Sequence, residues 1–158
     1  MLQVLHEKFL LKDALYDKKC TFAKNSLIKI SETMNENDIS YIIRGAIYKV
    51  YKELGPGLLE SIYEAALKFQ LAKDGLDVKT QVPIDVVYCG YKLPMSFRLD
   101  MLVQDKVIVE LKSVENMREV YSKQLLSYLK MTDLHLGILV NFNVNDINNG
   151  IFRIVNKL

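Results

Sequence analysis

Asp100 and the tripeptide Glu110-Leu-Lys112 lie on two short apolar segments, Phe97-Arg-Leu-Asp100-Met-Leu-Val103 and Lys106-Val-Ile-Val-Glu110-Leu-Lys112. Strand alternation puts Ile108, Glu110 and Lys112 on one face and Val107, Val109 and Leu111 on the other. Only Gln104-Asp105 separates the segments, so hairpin pairing is expected to bring Asp100 close to Glu110. An apolar strand gains little stability from such a group, because an unpaired buried charge costs several kcal/mol. A hard divalent cation is the natural counter-charge, since it takes oxygen ligands, commonly one or two carboxylates with waters and phosphate oxygens. Such a cation acidifies water and offsets charge at phosphorus, and Lys112 stands where it can orient that water or meet the developing charge. Taken alone, Glu-x-Lys fits an exposed cross-strand ion-pair face equally well.

These residues need a framework to hold them. Ile39, Ile42, Ile43, Ala46, Ile47, Val50 and Leu54 recur at helical steps after the cap-rich run Met34-Asn35-Glu36-Asn37-Asp38, and Gly55-Pro56-Gly57 ends that helix. A second helix is expected from about Leu58 to the Asp74-Gly75 stop. The period then changes to two, with Val78, Thr80, Val82, Ile84 and Val86 on one side of a long strand. The segments from Phe97 and from Lys106 complete an antiparallel meander. Met117–Met131 reads as a helix, Leu136–Val140 as a buried strand and Ile151–Val155 as a last strand. This order suits an α/β (α+β) fold with a mixed sheet flanked by helices. Residues 1–33 are expected to form an extension, in part an amphipathic helix through Leu2, Leu5 and Phe9, preceding a domain over 34–158 for which Met34 is a well-placed start.

The Asp100 strand followed by Glu110-Leu-Lys112 resembles the sequence core of the PD-(D/E)XK nuclease superfamily. Gly57-Leu-Leu-Glu60-Ser-Ile-Tyr63 is similar to the naming motif of one of its branches, the GxxExxY proteins, and the likeness continues through Gln81, Tyr88 and Asn141-Phe142. The resemblance implies a restriction-endonuclease-like core and a nuclease that uses Mg2+ or Mn2+ to hydrolyse phosphodiester bonds in nucleic acid, DNA first. It assigns Glu60, Asp100 and Glu110 to the metal and Lys112 to catalysis. Gln124-Leu-Leu-Ser-Tyr128 is similar to a helix signature of the RecB-type branch, which puts Gln124 in the catalytic shell and gives Tyr128, with Tyr63, a substrate-positioning role. Two departures stand out. Leu99 replaces the proline usual before the first acid, and Tyr121 stands where related sequences often carry histidine.

Bulk properties narrow the remaining possibilities. Half of the 158 residues are apolar, which is enough for one real core. No apolar run reaches the length of a membrane span, and the polar Met1–Phe9 start is unlike a signal peptide, so a cytoplasmic protein is expected. Cys20 and Cys89 have no framework spacing and read as inert, while His6 and His135 lack partners at ligand spacing. Residues 1–33 hold six Lys against four acids, which accounts for the whole net charge of +2. The remaining residues balance, although Lys68, Lys79, Lys92, Arg98, Lys123 and Lys130 can serve a phosphate surface if they gather on one side. That balance sustains one alternative, a weak or inactive nuclease-fold module that binds nucleic acid or a protein. Another is a homodimeric component docked through the 1–33 arm.

Overall fold

The computed structural model describes residues 34–157. The expected extension, with His6 and Cys20, lies outside them. Helix α1 spans Glu36–Leu54, and its first turn is capped by the Asn35 side chain, which accepts from the N–H groups of Asn37 and Asp38. Its apolar stripe is buried as expected at Ile39, Ile43, Ala46, Ile47 and Val50. Gly55, at φ 69° and ψ −174°, ends it in a conformation that glycine adopts readily. Helix α2 is Glu60–Lys73.

Strands β1 (Val78–Tyr88), β2 (Tyr91–Val103) and β3 (Val107–Lys112) form the meander. Helix α3 (Glu119–Thr132) then leads to β4 (Leu136–Asn141), a short 3-10 turn at Ile147–Gly150, and β5 (Ile151–Val155). The sheet order is β1-β2-β3-β4-β5, with β3 and β4 parallel and the other pairs antiparallel. Every residue of β4 is buried, as its unbroken apolar run requires. Leu125, Tyr128 and Leu129 of α3 pack on one face of the sheet against Ile84, Leu99, Ile108 and Leu139. The alternating residues Val107, Val109, Ile138 and Val140 are also buried, on the face toward α1 and α2. The architecture is a mixed sheet flanked by helices, an α+β fold consistent with the restriction-endonuclease-like core.

Several boundaries differ from the expected pattern, and the helices expected from about Leu58 and from Met117 begin at Glu60 and Glu119. Strand β2 begins at Tyr91 rather than Phe97, because Cys89 and Gly90, both at positive φ, make a two-residue turn that pairs Tyr88 with Tyr91. Strand β3 begins at Val107, since Lys106 is used to close the preceding turn onto the Val103 carbonyl. The β1–β2 register also passes from Thr80↔Met101 to Val82↔Leu99, stepping over Gln81 and Asp100. Gln81 there has φ 55°, a conformation that non-glycine residues adopt at a cost.

Candidate active site

The parallel pair sets the location of the site, because β3 and β4 end together with Lys112 opposite Asn141. Ligand sites of α/β sheets form beyond such carboxyl ends. Asp100 leaves the regular ladder and turns its carboxylate onto β3, where Oδ2 accepts the Leu111 N–H at 2.8 Å. Lys112 Nζ donates to Glu110 Oε1 at 2.9 Å and to the Leu111 carbonyl at 2.7 Å, and lies 4.0 Å from Asp100 Oδ2. The ammonium also stands 5.7 Å from the centre of the Tyr121 ring, which supplies a cation–π wall.

Burial governs the electrostatics. Glu110 is only 4% exposed, and desolvation, together with the like charge of Asp100, pushes its pKa up to about 7 against the pull of Lys112. Burial raises Asp100 as well, despite the Leu111 hydrogen bond and Lys112. Burial draws Lys112 down, but its hydrogen bond to Glu110 and the charges of Glu110, Asp100 and Glu60 outweigh that and hold it above its ordinary value. Glu60 therefore belongs to the same electrostatic cluster. It is exposed in the first turn of α2, accepts the Ser113 N–H at 3.2 Å, and lines a cleft of about 270 Å³ with Ser61, Glu64, Gln81, Asp100 and Leu111.

The other expected residues are placed differently. Gln124 donates to the Tyr128 hydroxyl, and burial raises that phenol while Glu110 and Asp100 also act on it, so the pair borders the acidic cluster. Tyr63 is wholly buried and stacks on Phe142 at 4.2 Å between ring centres. Its hydroxyl donates to the Gly55 carbonyl at 2.7 Å and accepts the Leu58 N–H at 3.1 Å, which fixes the corner that presents Glu60. Any influence it has on substrate runs through that corner. Tyr63→Phe is expected to cost about 1–2 kcal/mol of stability, read by urea denaturation, because both partners lose a hydrogen bond.

The family model of the PD-(D/E)XK nuclease superfamily matches residues 37–154. The chain belongs to the PD-(D/E)XK nuclease superfamily. The crystal structure of SSO0001 is similar to this PD-(D/E)XK chain with a TM-score of 0.50 at 17% identity, over 88% of this chain and 78% of that one, a likeness of fold. No curated protein matches the sequence. No described helix is long and apolar enough to cross a membrane.

Nucleases of this superfamily typically use divalent metals. Among the described residues no group of three or more His, Cys, Asp or Glu is gathered closely enough to hold an ion unaided. The donor chemistry nevertheless fits one. Glu110 Oε2 is buried without a hydrogen-bond partner, which is costly for a carboxylate and suits an oxygen-seeking cation. Magnesium also keeps several waters and asks only one or two carboxylates of a protein. Lys112 meanwhile supplies the positive charge between the acids.

Sequence reading alone missed Ser113 and Glu64 as neighbours of Glu60, and the contacts that Asn141 and Tyr121 make. Glu64 accepts from Gln81 Nε2 and joins Glu60 in the cleft. Its i,i+4 spacing from Glu60 on one helix was the available signal.

Proposed function

We propose that this chain is a divalent-cation-dependent phosphodiesterase that cleaves nucleic acid, with DNA as its first substrate class and Mg2+ or Mn2+ as its cofactor. The observation that carries the reading is the meeting of Asp100, Glu110 and Lys112 at the end of the parallel strand pair, with one Glu110 oxygen left unpartnered. Glu110, Asp100 and Glu60 would hold the cation. When bound, such a cation supplies charge neutralisation at the phosphodiester and acidifies adjacent water.

The chain's own residues do the rest. Lys112, held by Glu110 and the Leu111 carbonyl, aims a fixed ammonium at the charge that develops on phosphate oxygen. Gln124 and Tyr128 form a hydrogen-bonded wall beside the acids and position the sugar-phosphate backbone. Next to Tyr128, Phe97 lies at 5.4 Å, and farther along the β1–β2 ribbon Met95, Tyr91 and Tyr88 are exposed, with Tyr88 paired to Tyr91. These exposed side chains offer bases a stacking surface that leads away from the site. Within the superfamily the GxxExxY reading gains a physical sense: Gly57 turns at φ 92°, Glu60 is delivered, and Tyr63 locks the corner. The unpatterned cysteines fit a reducing cytoplasm.

Ion pairs favour the alternative of a non-catalytic binding module, because Lys79, Lys92 and Lys123 are engaged by Asp105, Asp85 and Glu119 rather than gathered on a phosphate surface. One experiment separates the two. Parent and Asp100→Asn proteins are incubated with linear, circular, single-stranded and branched DNA and with RNA, in Mg2+ or Mn2+. The parent is expected to cleave at least one substrate only with metal, and the variant to be slower by on the order of a hundredfold. Binding without cleavage in either metal supports the module. Light scattering on the same samples tests for a homodimer.

A further inference from the structure

We infer that Asn141 is a positioning residue for Glu60, acting through Val114 and Ser113. This rests on Glu60 as a cation-holding carboxylate. Asn141 ends β4 and is 1% exposed, yet both ends of its amide are hydrogen-bonded. Oδ1 accepts the N–H groups of Val114 at 3.1 Å and Asn143 at 3.2 Å, and Nδ2 donates to the Val114 carbonyl at 2.8 Å.

The consequence lies in where Val114 stands. Strand β3 ends at Lys112, and the last backbone bond of the pair runs from the Phe142 N–H to the Lys112 carbonyl. Beyond that point the Asn141 side chain takes both main-chain groups of Val114, as a strand neighbour would. The exit from β3 is thereby held straight, and Ser113, between the two anchored residues, has a fixed orientation. Its hydroxyl donates to the Leu58 carbonyl at 2.5 Å and its N–H to Glu60 Oε1 at 3.2 Å.

Helix α2 has no side-chain N-cap bond, and Glu60 is exposed in its first turn, where a long side chain keeps its rotamer freedom unless a partner holds it. Ser113 restrains it, and Asn141 restrains Ser113. The bond occupies one Glu60 oxygen, and Glu60 lines the cleft that Asp100 shares. Asn141 is itself gripped from behind, because a Cβ on Gly150 would come within 2.4 Å of its carbonyl oxygen. A carboxylate at 141 has no N–H for the Val114 carbonyl, and an apolar residue has neither donor nor acceptor.

The test is calorimetric titration of Mn2+ alone into full-length parent, Asn141→Ala, Asn141→Asp, Ser113→Pro, Ser113→Ala, Glu60→Gln and the double variant Asn141→Ala/Glu60→Gln, with a melting curve for each. Asn141→Ala and Asn141→Asp are expected to bind Mn2+ roughly tenfold more weakly, as loss of support behind a ligand does. Ser113→Pro, which deletes the N–H, should match them, whereas Ser113→Ala, which keeps it and loses only the Leu58 bond, should bind more tightly than Ser113→Pro. Adding Asn141→Ala to Glu60→Gln should weaken binding no further. Parent-like affinity in Asn141→Ala and Ser113→Pro, or a full additional loss in the double variant, overturns the inference even if melting temperatures fall. If Asn141→Ala does not fold, the Ser113 pair decides. A parent that takes up no Mn2+, or a Glu60→Gln protein that binds as well as the parent, instead overturns the metal-ligand reading and this inference with it.

Discussion

Lys112→Ala protein is expected to cleave nucleic acid on the order of a hundred- to a thousandfold more slowly than the parent at saturating Mg2+ or Mn2+, the range seen when one preorganised donor to a developing oxyanion is removed. The expectation follows from how tightly this ammonium is placed: its side chain is 13% exposed, bonded to Glu110 and the Leu111 carbonyl, and backed by the Tyr121 ring. A surface lysine would spend most of its time elsewhere, at an entropic cost on every turnover. Lys112→Arg should not restore the rate, because a planar guanidinium cannot occupy the same point beside Glu110. The two effects of the alanine substitution can be separated. Removing an ammonium that competes for Glu110 should leave Mn2+ affinity equal or tighter, while the single-turnover rate falls. An unchanged rate in Lys112→Ala would remove this residue from the chemistry.

The second expectation concerns protons. Glu110 titrates at about 7 in the folded protein, far above the ordinary value of 4.5, through burial first and Asp100 second. A carboxyl raised in this way binds its proton more tightly when folded than when unfolded. Between those two values the folded state therefore carries more protons, and stability falls as pH rises through the window. For so buried a group the loss is on the order of 3 kcal/mol. Asp100 is raised too and works in the same direction. Asp74 is lowered, so its contribution fades only in acid, below 3.8. In urea denaturation with chelator present, the parent should lose stability from pH 5 to pH 8, and Glu110→Gln should flatten most of that slope. Cation affinity should run the opposite way, since the metal requires the ionised carboxylate. In the parent it should climb toward about pH 7 and level off above, whereas in Glu110→Gln it should be low at every pH. A parent whose stability is flat or rising across this window would show that Glu110 is not the desolvated acid described here.

An acid placed where burial raises it is the mark of a functional site rather than of a core. The carboxylate that costs stability near neutral pH is also the one with an unpartnered oxygen. Replacing it with an apolar residue would serve the sheet better and, on the proposed reading, would remove a ligand of the cation.

Much of this arrangement was legible in the order of residues, because periodicity is a local property. The stripe from Ile39 to Val50 read as one face of a helix, and the run Leu136–Val140 read as a strand covered on both sides. Period two likewise put Glu110 and Lys112 on one face, and the short link to Asp100 brought the acids together. Tyr91–Ser96 escaped notice because Pro94 and the polar Ser96 blur alternation, and it is pairing with β1 that makes this stretch a strand. Glu60 could be connected with the site only by resemblance, since no spacing rule joins a helix start to a strand 50 residues later.

What tertiary structure alone decided is the set of contacts between distant segments. The Ser113 bond to Glu60 spans 53 positions and the Asn141 bonds to Val114 span 27. Tyr63, which resemblance placed with the substrate, became the buried lock of a corner because Phe142 arrives against it from the end of β4. The reason is physical. Side-chain direction along a helix or strand is set by neighbours a few residues away, whereas burial, and with it the raised Glu110 carboxyl and the choice of who meets whom, exists only once the layers have closed over the sheet.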